Sequence, residues 1–214
     1  MTVLILVGGD PAPQADAGEL GGFHEADYVI AADSGLHRAG GRRVDLIVGD
    51  FDSAEASRVE HAREQGSELQ RFPVTKDLTD LELALEVAAD RNPDVVIVEG
   101  GFGGRFDHFL NTANVITSER WSGFTIEWWD DVRRAIVVRG TISIAARPGS
   151  MVSFLPYGGN ARGVTLTGFV YGLDDEMLEA GSGRGLSNII VGEHASISVT
   201  DGTLLAMFPD ELSS

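Results

Sequence analysis

The sequence predicts an α/β domain followed by a small all-β domain. Four short runs in the first half are continuously apolar: Val3-Leu4-Ile5-Leu6-Val7, Tyr28-Val29-Ile30-Ala31-Ala32, Leu46-Ile47-Val48 and Val95-Val96-Ile97-Val98. Runs of this kind are strands buried on both faces. They alternate with stretches of helical spacing, so we expect an open, mostly parallel sheet with helices on both faces. From residue 132 onward polar and apolar residues alternate and no helical stretch follows, which reads as a sandwich or partial barrel. The expected domains are residues 1–131 and 132–214.

In chain order, residues 2–7 form the first strand, closed by Gly8-Gly9-Asp10. Residues 11–22, with their prolines and glycines, read as a loop. Residues 28–32 form the second strand, ending in Asp33-Ser34-Gly35 and a short helical run through Leu36 and Ala39. Residues 46–48 form the third strand. Residues 54–65, rich in Ala, Glu and Arg, read as an exposed helix, and 67–72 as a short strand. Leu78, Leu81 and Leu85 make a helical stripe over 78–89. Residues 95–99 form another buried strand, 100–104 a glycine loop, 106–116 a helix and 124–129 a strand. In the second part, residues 141–144, 151–154, 164–167 and 196–200 read as separate strands. Asp201-Gly202 between two strand-like runs predicts a hairpin.

The 214-residue chain is 43% hydrophobic and 23% charged, an ordinary globular composition. With 33 acidic and 16 basic side chains its net charge is -17. That surface repels nucleic acid and anionic membrane, so neither is an expected partner. The absence of cysteine excludes disulfides, thiolate catalysis and Cys-based zinc sites. No stretch approaches the ~20 apolar residues of a membrane span, and the first apolar run is too short for a signal peptide. The expected location is the cytoplasm.

Four segments carry chemistry. The first is Gly49-Asp50-Phe51-Asp52-Ser53 at the end of the third strand. In extended backbone Asp50 and Asp52 aim to the same side. Two carboxylates about 4 Å apart repel by roughly 4 kcal/mol at an effective dielectric near 20, so the pair calls for a cation, and oxygen ligands suit Mg²⁺. The second is Thr75-Lys76-Asp77-Leu78-Thr79-Asp80. Asp77 and Asp80 share a helix face; capping offers another role, by Asp77 as N-cap or by a Thr79/Glu82 capping box. Lys76 between carboxylates is suited to hold phosphate. The third is the glycine loop with Gly103-Gly104-Arg105-Phe106-Asp107-His108. Its glycines let backbone approach a ligand, and Arg105 adds a forked donor for phosphate. The fourth, Arg184-Gly185-Leu186-Ser187-Asn188, reads alone as a turn. No GxGxxG or GxxxxGK[ST] loop is present, which argues against a standard dinucleotide or P-loop site.

Together with Asp33-Ser34-Gly35, these motifs in this order resemble the thiamine pyrophosphokinase family over nearly the whole chain. One departure is Ile189, where the family pattern often has an acidic or polar residue after the Ser-Asn pair. The resemblance implies transfer of the β,γ-pyrophosphoryl group of ATP to the hydroxyl of thiamine, giving AMP and thiamine diphosphate. It also implies an α/β nucleotide-side domain with a β-sandwich, and a homodimer with its active site at the subunit interface. On that basis Asp50, Asp52 and Asp77 are the expected Mg²⁺ ligands, with Asp80 as an alternate. Thr75, Lys76, Gly103, Gly104 and Arg105 face phosphate, and Asp33, Ser34, Gly35, Gly49 and Ser53 shape the nucleotide end. Asp80 or Asp107 is the base. Asp107, His108, Ser187 and Asn188 are candidates for the thiamine pocket. The competing expectations are a diphosphokinase for another alcohol such as a pterin, a DxD phosphatase or glycosyltransferase, and a non-catalytic Mg-nucleotide-binding protein.

Overall fold

A computed structural model describes residues 1–9, 25–50, 56–72, 77–130, 133–145 and 147–209. Asp52, Ser53, Thr75 and Lys76 lie outside the described residues, as does the loop expected over 11–22. The described chain divides into two compact units, Met1–Val115 with Ile126–Asp131, and Ile116–Thr125 with Val132–Ser214. Segment Ile116–Thr125 therefore groups with the second unit. Arg139 supplies one reason within that unit. Its guanidinium donates to the carbonyls of Ser118 (2.8 Å), Ile116 (3.2 Å) and Trp121 (3.5 Å).

The first unit holds strands β1 (Thr2–Leu6), β2 (Tyr28–Ala32), β3 (Leu46–Gly49), β4 (Glu68–Arg71), β5 (Val95–Glu99) and β6 (Thr125–Trp129) in the order β4-β3-β2-β1-β5-β6. The ladders from β4 to β5 are all parallel. Consecutive residues Val3, Leu4, Ile5 and Leu6 are all fully buried, so both faces of β1 are covered, as its unbroken apolar run required. The four residues of β4 are exposed. Helices α1 (Ala56–Glu64), α2 (Asp80–Ala89) and α3 (Phe106–Ile116) follow β3, β4 and β5, and a 3₁₀ helix (Asp33–Ala39) follows β2. Helix α2 buries Leu81, Leu83, Leu85, Ala84 and Ala88 and contacts β1, β2 and β3. Each fully buried leucine contributes about 1.5–3 kcal/mol.

The second unit is built from β7 (Arg134–Val138), β8 (Thr141–Ala145), β9 (Met151–Thr167), β10 (Leu173–Leu178), β11 (Asn188–Ile189), β12 (His194–Ser198) and β13 (Asp201–Phe208). The ladders among them are antiparallel. Strand pairing over the two units is thus mixed, and the mostly parallel arrangement holds for the first unit alone. A core around Phe154, Phe169, Val164 and Ile197 fills the second unit, with Phe154 and Phe169 edge to face at 5.3 Å.

Two expectations fail here. The strands expected at 151–154 and 164–167 are the two ends of one strand of 17 residues, β9. Gly158 and Gly163, both at positive φ, let the backbone bend without ending the strand. Nor do β12 and β13 form a hairpin across Asp201-Gly202. β12 pairs with β8 and β9, and β13 with β7 and β9, so the long strand takes both. Gly202 is needed instead for close approach: a Cβ there would lie 2.6 Å from the Asn160 carbonyl oxygen. Among the described residues no helix is long and apolar enough to cross a membrane.

Candidate active site

A cleft of about 710 Å³ opens in the first unit, beyond the carboxyl ends of β1, β2 and β5. Parallel α/β sheets place ligands at this end. The cleft brings together Asp33, Ser34, Asp80, Gly103, Arg105, Asp107 and His108 from the residues singled out in the sequence. Gly35, Gly49, Asp50, Asp77 and Gly104 are described but do not line it.

Its floor is made by close backbone packing. Gly35 sits against β1 so tightly that a Cβ would lie 2.0 Å from the Leu6 carbonyl oxygen. This fixes the start of the 3₁₀ helix and with it Asp33, which is buried and holds a left-handed φ of 44°. That backbone costs on the order of 1–3 kcal/mol and persists because the packing dictates it. A Cβ on Gly49 would lie 3.1 Å from the Asp33 Cβ, so the end of β3, and Asp50 after it, is anchored beside Asp33. Across the cleft Gly101 donates its N–H to the Gly8 carbonyl at 2.7 Å, and Trp128 Nε1 donates to the Gly100 carbonyl at 2.7 Å. Phe102 stacks on Trp128 with centroids 4.3 Å apart. The glycine loop is therefore anchored at its first two residues.

Two helix N-termini reach the cleft. Thr79, Asp80 and Leu81 bring the start of α2, and Arg105, Asp107 and His108 the start of α3. Helix N-termini carry partial positive charge and unsatisfied N–H groups, which favour phosphate. The N-cap of α2 is Thr79, not Asp77. Thr79 and Glu82 form a reciprocal capping box, with Glu82 Oε2 accepting from the Thr79 N–H at 2.8 Å. Asp77 is exposed, two residues before the cap. We predict that Thr79→Ala costs about 1 kcal/mol, read as a lower urea midpoint at unchanged slope.

Arg105 and Asp107 form a two-point ion pair, Nη2–Oδ2 2.5 Å and Nε–Oδ1 3.1 Å. The Arg105 guanidinium holds the Asp107 carboxyl down at about 2. Both side chains are exposed at the rim. Asn111 and Thr112 also line the cleft and were not singled out in the sequence. Their signal is the spacing of three and four residues after His108 on one helix face. Gly8 and Gly9, which close the first strand, also line the cleft.

In the second unit the Asn188 side chain is occupied by main chain. Its Oδ1 accepts from the Tyr171 N–H at 3.0 Å and its Nδ2 donates to the Tyr171 carbonyl at 2.8 Å. Asn188 borders a recess of about 420 Å³ that also includes Tyr171 and Arg184. Ser187, with φ 55°, is exposed, and its N–H donates to Ser153 Oγ at 3.1 Å.

Among the described residues no group of three or more His, Cys, Asp or Glu side chains is placed to hold a metal ion. Asp50 and Asp77, the described members of the expected metal set, offer carboxylate oxygen alone, which is the donor chemistry of Mg²⁺.

The family model described as "Thiamin pyrophosphokinase, catalytic domain" matches residues 22–127, and that described as "Thiamin pyrophosphokinase, vitamin B1 binding domain" matches residues 140–204. The chain belongs to the thiamine pyrophosphokinase family. Thiamine pyrophosphokinase of Bacillus subtilis is 29% identical over 159 residues, covering 73% of this chain and 74% of that protein. Thiamine pyrophosphokinase 1 of rice (Oryza sativa subsp. japonica) is 28% identical over 166 residues, covering 72% of this chain and 62% of that protein. The crystal structure of the Bacillus subtilis protein aligns with a TM-score of 0.83 at 25% identity, over 99% of this chain and 100% of that one. That of thiamin pyrophosphokinase from Geobacillus thermodenitrificans aligns at 0.81 and 25% identity, over 100% and 99%. Asp33, Asp50, Asp80 and Asp107 fall inside the first family match, and Ser187 and Asn188 inside the second.

Proposed function

We propose that this chain is a pyrophosphokinase that transfers the β,γ-pyrophosphoryl group of ATP to the hydroxyl of thiamine, giving thiamine diphosphate and AMP. The observation that carries the reading is the cleft where two helix N-termini, a glycine loop and Arg105 converge beyond parallel strand ends. That is a polyphosphate site in its chemistry, and the family membership names the acceptor.

In this reading Asp50, Asp52 and Asp77 hold Mg²⁺, which when bound supplies charge neutralisation on the phosphates. Lys76 and Arg105 hold phosphate oxygens, with Thr75, Gly103 and Gly104 beside them. Asp33, Ser34, Gly35, Gly49 and Ser53 shape the nucleotide end. The thiamine hydroxyl oxygen forms a bond to the β-phosphorus, and the bond from that phosphorus to the bridging oxygen of AMP breaks. The hydroxyl proton passes to a carboxylate. We assign it to Asp80, which lines the cleft at the first residue of α2. Catalysis is then mostly positioning and charge stabilisation.

His108, Ser187 and Asn188 belong to the thiamine pocket, Asn188 through its hold on the Tyr171 main chain. We take residues 1–131, apart from the 116–125 segment, as the nucleotide and metal side. Residues 132–214, a small β-sandwich, are the thiamine and dimer side, and the homodimer completes the active site at its interface. The expected location remains the cytoplasm.

The test is AMP release from Mg-ATP with and without thiamine, with the product weighed by mass spectrometry. AMP and thiamine diphosphate formed one to one establish the reaction. ADP in place of AMP means single phosphoryl transfer and sinks it. AMP formed with a pterin alcohol and not with thiamine would move the acceptor and keep the chemistry.

A further inference from the structure

Arg42 and Glu99 lie outside every motif considered above, yet they join the two walls of the cleft. Glu99 ends β5, and the glycine loop begins at the next residue. Arg42 follows the 3₁₀ helix whose first residues, Asp33 and Ser34, form the facing wall. The guanidinium donates through Nε to the Ala39 carbonyl (3.1 Å) and through Nη2 to the Arg38 carbonyl (2.9 Å), the last carbonyls of that helix. It also grips both oxygens of Glu99, Nη1 to Oε2 at 2.8 Å and Nη2 to Oε1 at 2.7 Å. The two side chains are only 20% and 17% exposed. A planar fork meets this set of acceptors, and an ammonium group cannot.

The short helix packs on β1, β2 and β3 and carries a specific contact at each end. Gly35 is jammed on the Leu6 carbonyl at its start, and Arg42 ties its end to the last residue of β5. Beside the pair, a Cβ on Gly100 would lie 2.6 Å from Arg38 Nε, so the Arg38 side chain lies along the loop's first residue. If the Arg42 tie is lost, the helix keeps its packing on the sheet and loses its bidentate tie to the residue that leads into the glycine loop.

We propose that Arg42 and Glu99 are a positioning pair that sets the separation between the Asp33–Ser34 wall and the glycine-loop wall, and so the cleft's affinity for nucleotide. Neither residue lines the cleft, and the pair acts through the backbone it joins. The inference rests on the reading of this cleft as a nucleotide site.

The experiment is calorimetric titration with a non-hydrolysable ATP analogue plus Mg²⁺, without thiamine, on the parent, Arg42→Lys, Glu99→Gln and the double variant. Melting temperature is recorded for each. Positioning predicts about tenfold weaker binding in both single variants and no further loss in the double, because the two residues act as one unit. At saturating ATP, kcat stays within about threefold while KM rises. Simple electrostatics predicts the opposite for Glu99→Gln, since removing a negative charge near an anion site tightens binding. Unchanged or tighter binding in Glu99→Gln, or single effects that multiply in the double variant, overturns the proposal. Glu99→Gln keeps the side chain's shape and decides the matter even where Arg42→Lys fails to fold. A parent that binds the analogue but makes no AMP with thiamine sinks the reaction and leaves the binding comparison readable.

Discussion

Asp50→Asn lowers turnover by at least ~100-fold and leaves the fold intact. The side chain is half-buried at the exit of β3, and the residue before it is packed on Asp33, so the backbone holds the position. Asparagine keeps the size and removes the charge. Loss of a main electrostatic group in an active site costs on the order of 10²–10³ in kcat. Circular dichroism and melting should match the parent, and turnover should require more Mg²⁺ to reach its plateau. Near-parent turnover removes Asp50 from the metal role. Asp52→Asn is expected to behave alike on the strength of the shared strand-end pattern, although that residue lies outside the described structure.

Arg105→Ala and Asp107→Asn should separate, although their side chains form one ion pair. Arg105 is a cation at the rim of the cleft, and its loss should lower kcat/KM for Mg-ATP by about 100-fold, as for other cations that clamp a phosphoryl group. Asp107→Asn should cost much less and leave the acid limb of the kcat/KM profile where it was. Arg105 holds the Asp107 carboxyl at about 2, so it is ionised at every pH used for assay and its titration cannot shape that limb. The sign for stability agrees. A carboxyl whose value is depressed by folding contributes stability above its unfolded value, and that contribution disappears as pH falls through about 2. A shifted acid limb in Asp107→Asn would return Asp107 to the role of base.

The buried strands were legible because their message is redundant. Each of β1, β2, β3 and β5 is an unbroken apolar run closed by a turn residue or a carboxylate, and burial on both faces leaves few other readings. The acidic segment before α2 was legible in type and open in assignment, since Asp77 and Thr79 both have side chains fit to cap. Thr79 takes the cap through its reciprocal bonds with Glu82. In the second unit the alternating pattern breaks inside one long strand, and Asp201-Gly202 carries a hairpin signal where no hairpin forms. Gly158 bends a strand and Gly202 makes room for one, and neither marks a turn between paired neighbours. Asn111 and Thr112 carry only the spacing after His108 as a mark, and that spacing takes on meaning once the cleft beside the helix is known. Arg42 and Glu99 were missed for another reason. They are far apart in sequence, and only the parallel crossover brings them together.

A chain leaving the ribosome finishes α3 before either compact unit is whole. The first unit needs β6, and the chain reaches it only after residues 116–125, which belong to the other unit, have been made. At ordinary synthesis rates the interval is on the order of a second. During it the outer edge of β5 is unpaired, and Trp128 is not yet there to cap the Gly100 carbonyl or stack on Phe102. An open strand edge is a template for wrong pairing. Nascent chains halted near residue 115 should therefore aggregate or bind chaperones more than chains halted past 131, and any attempt to express the first unit alone has to carry the 116–125 segment with it.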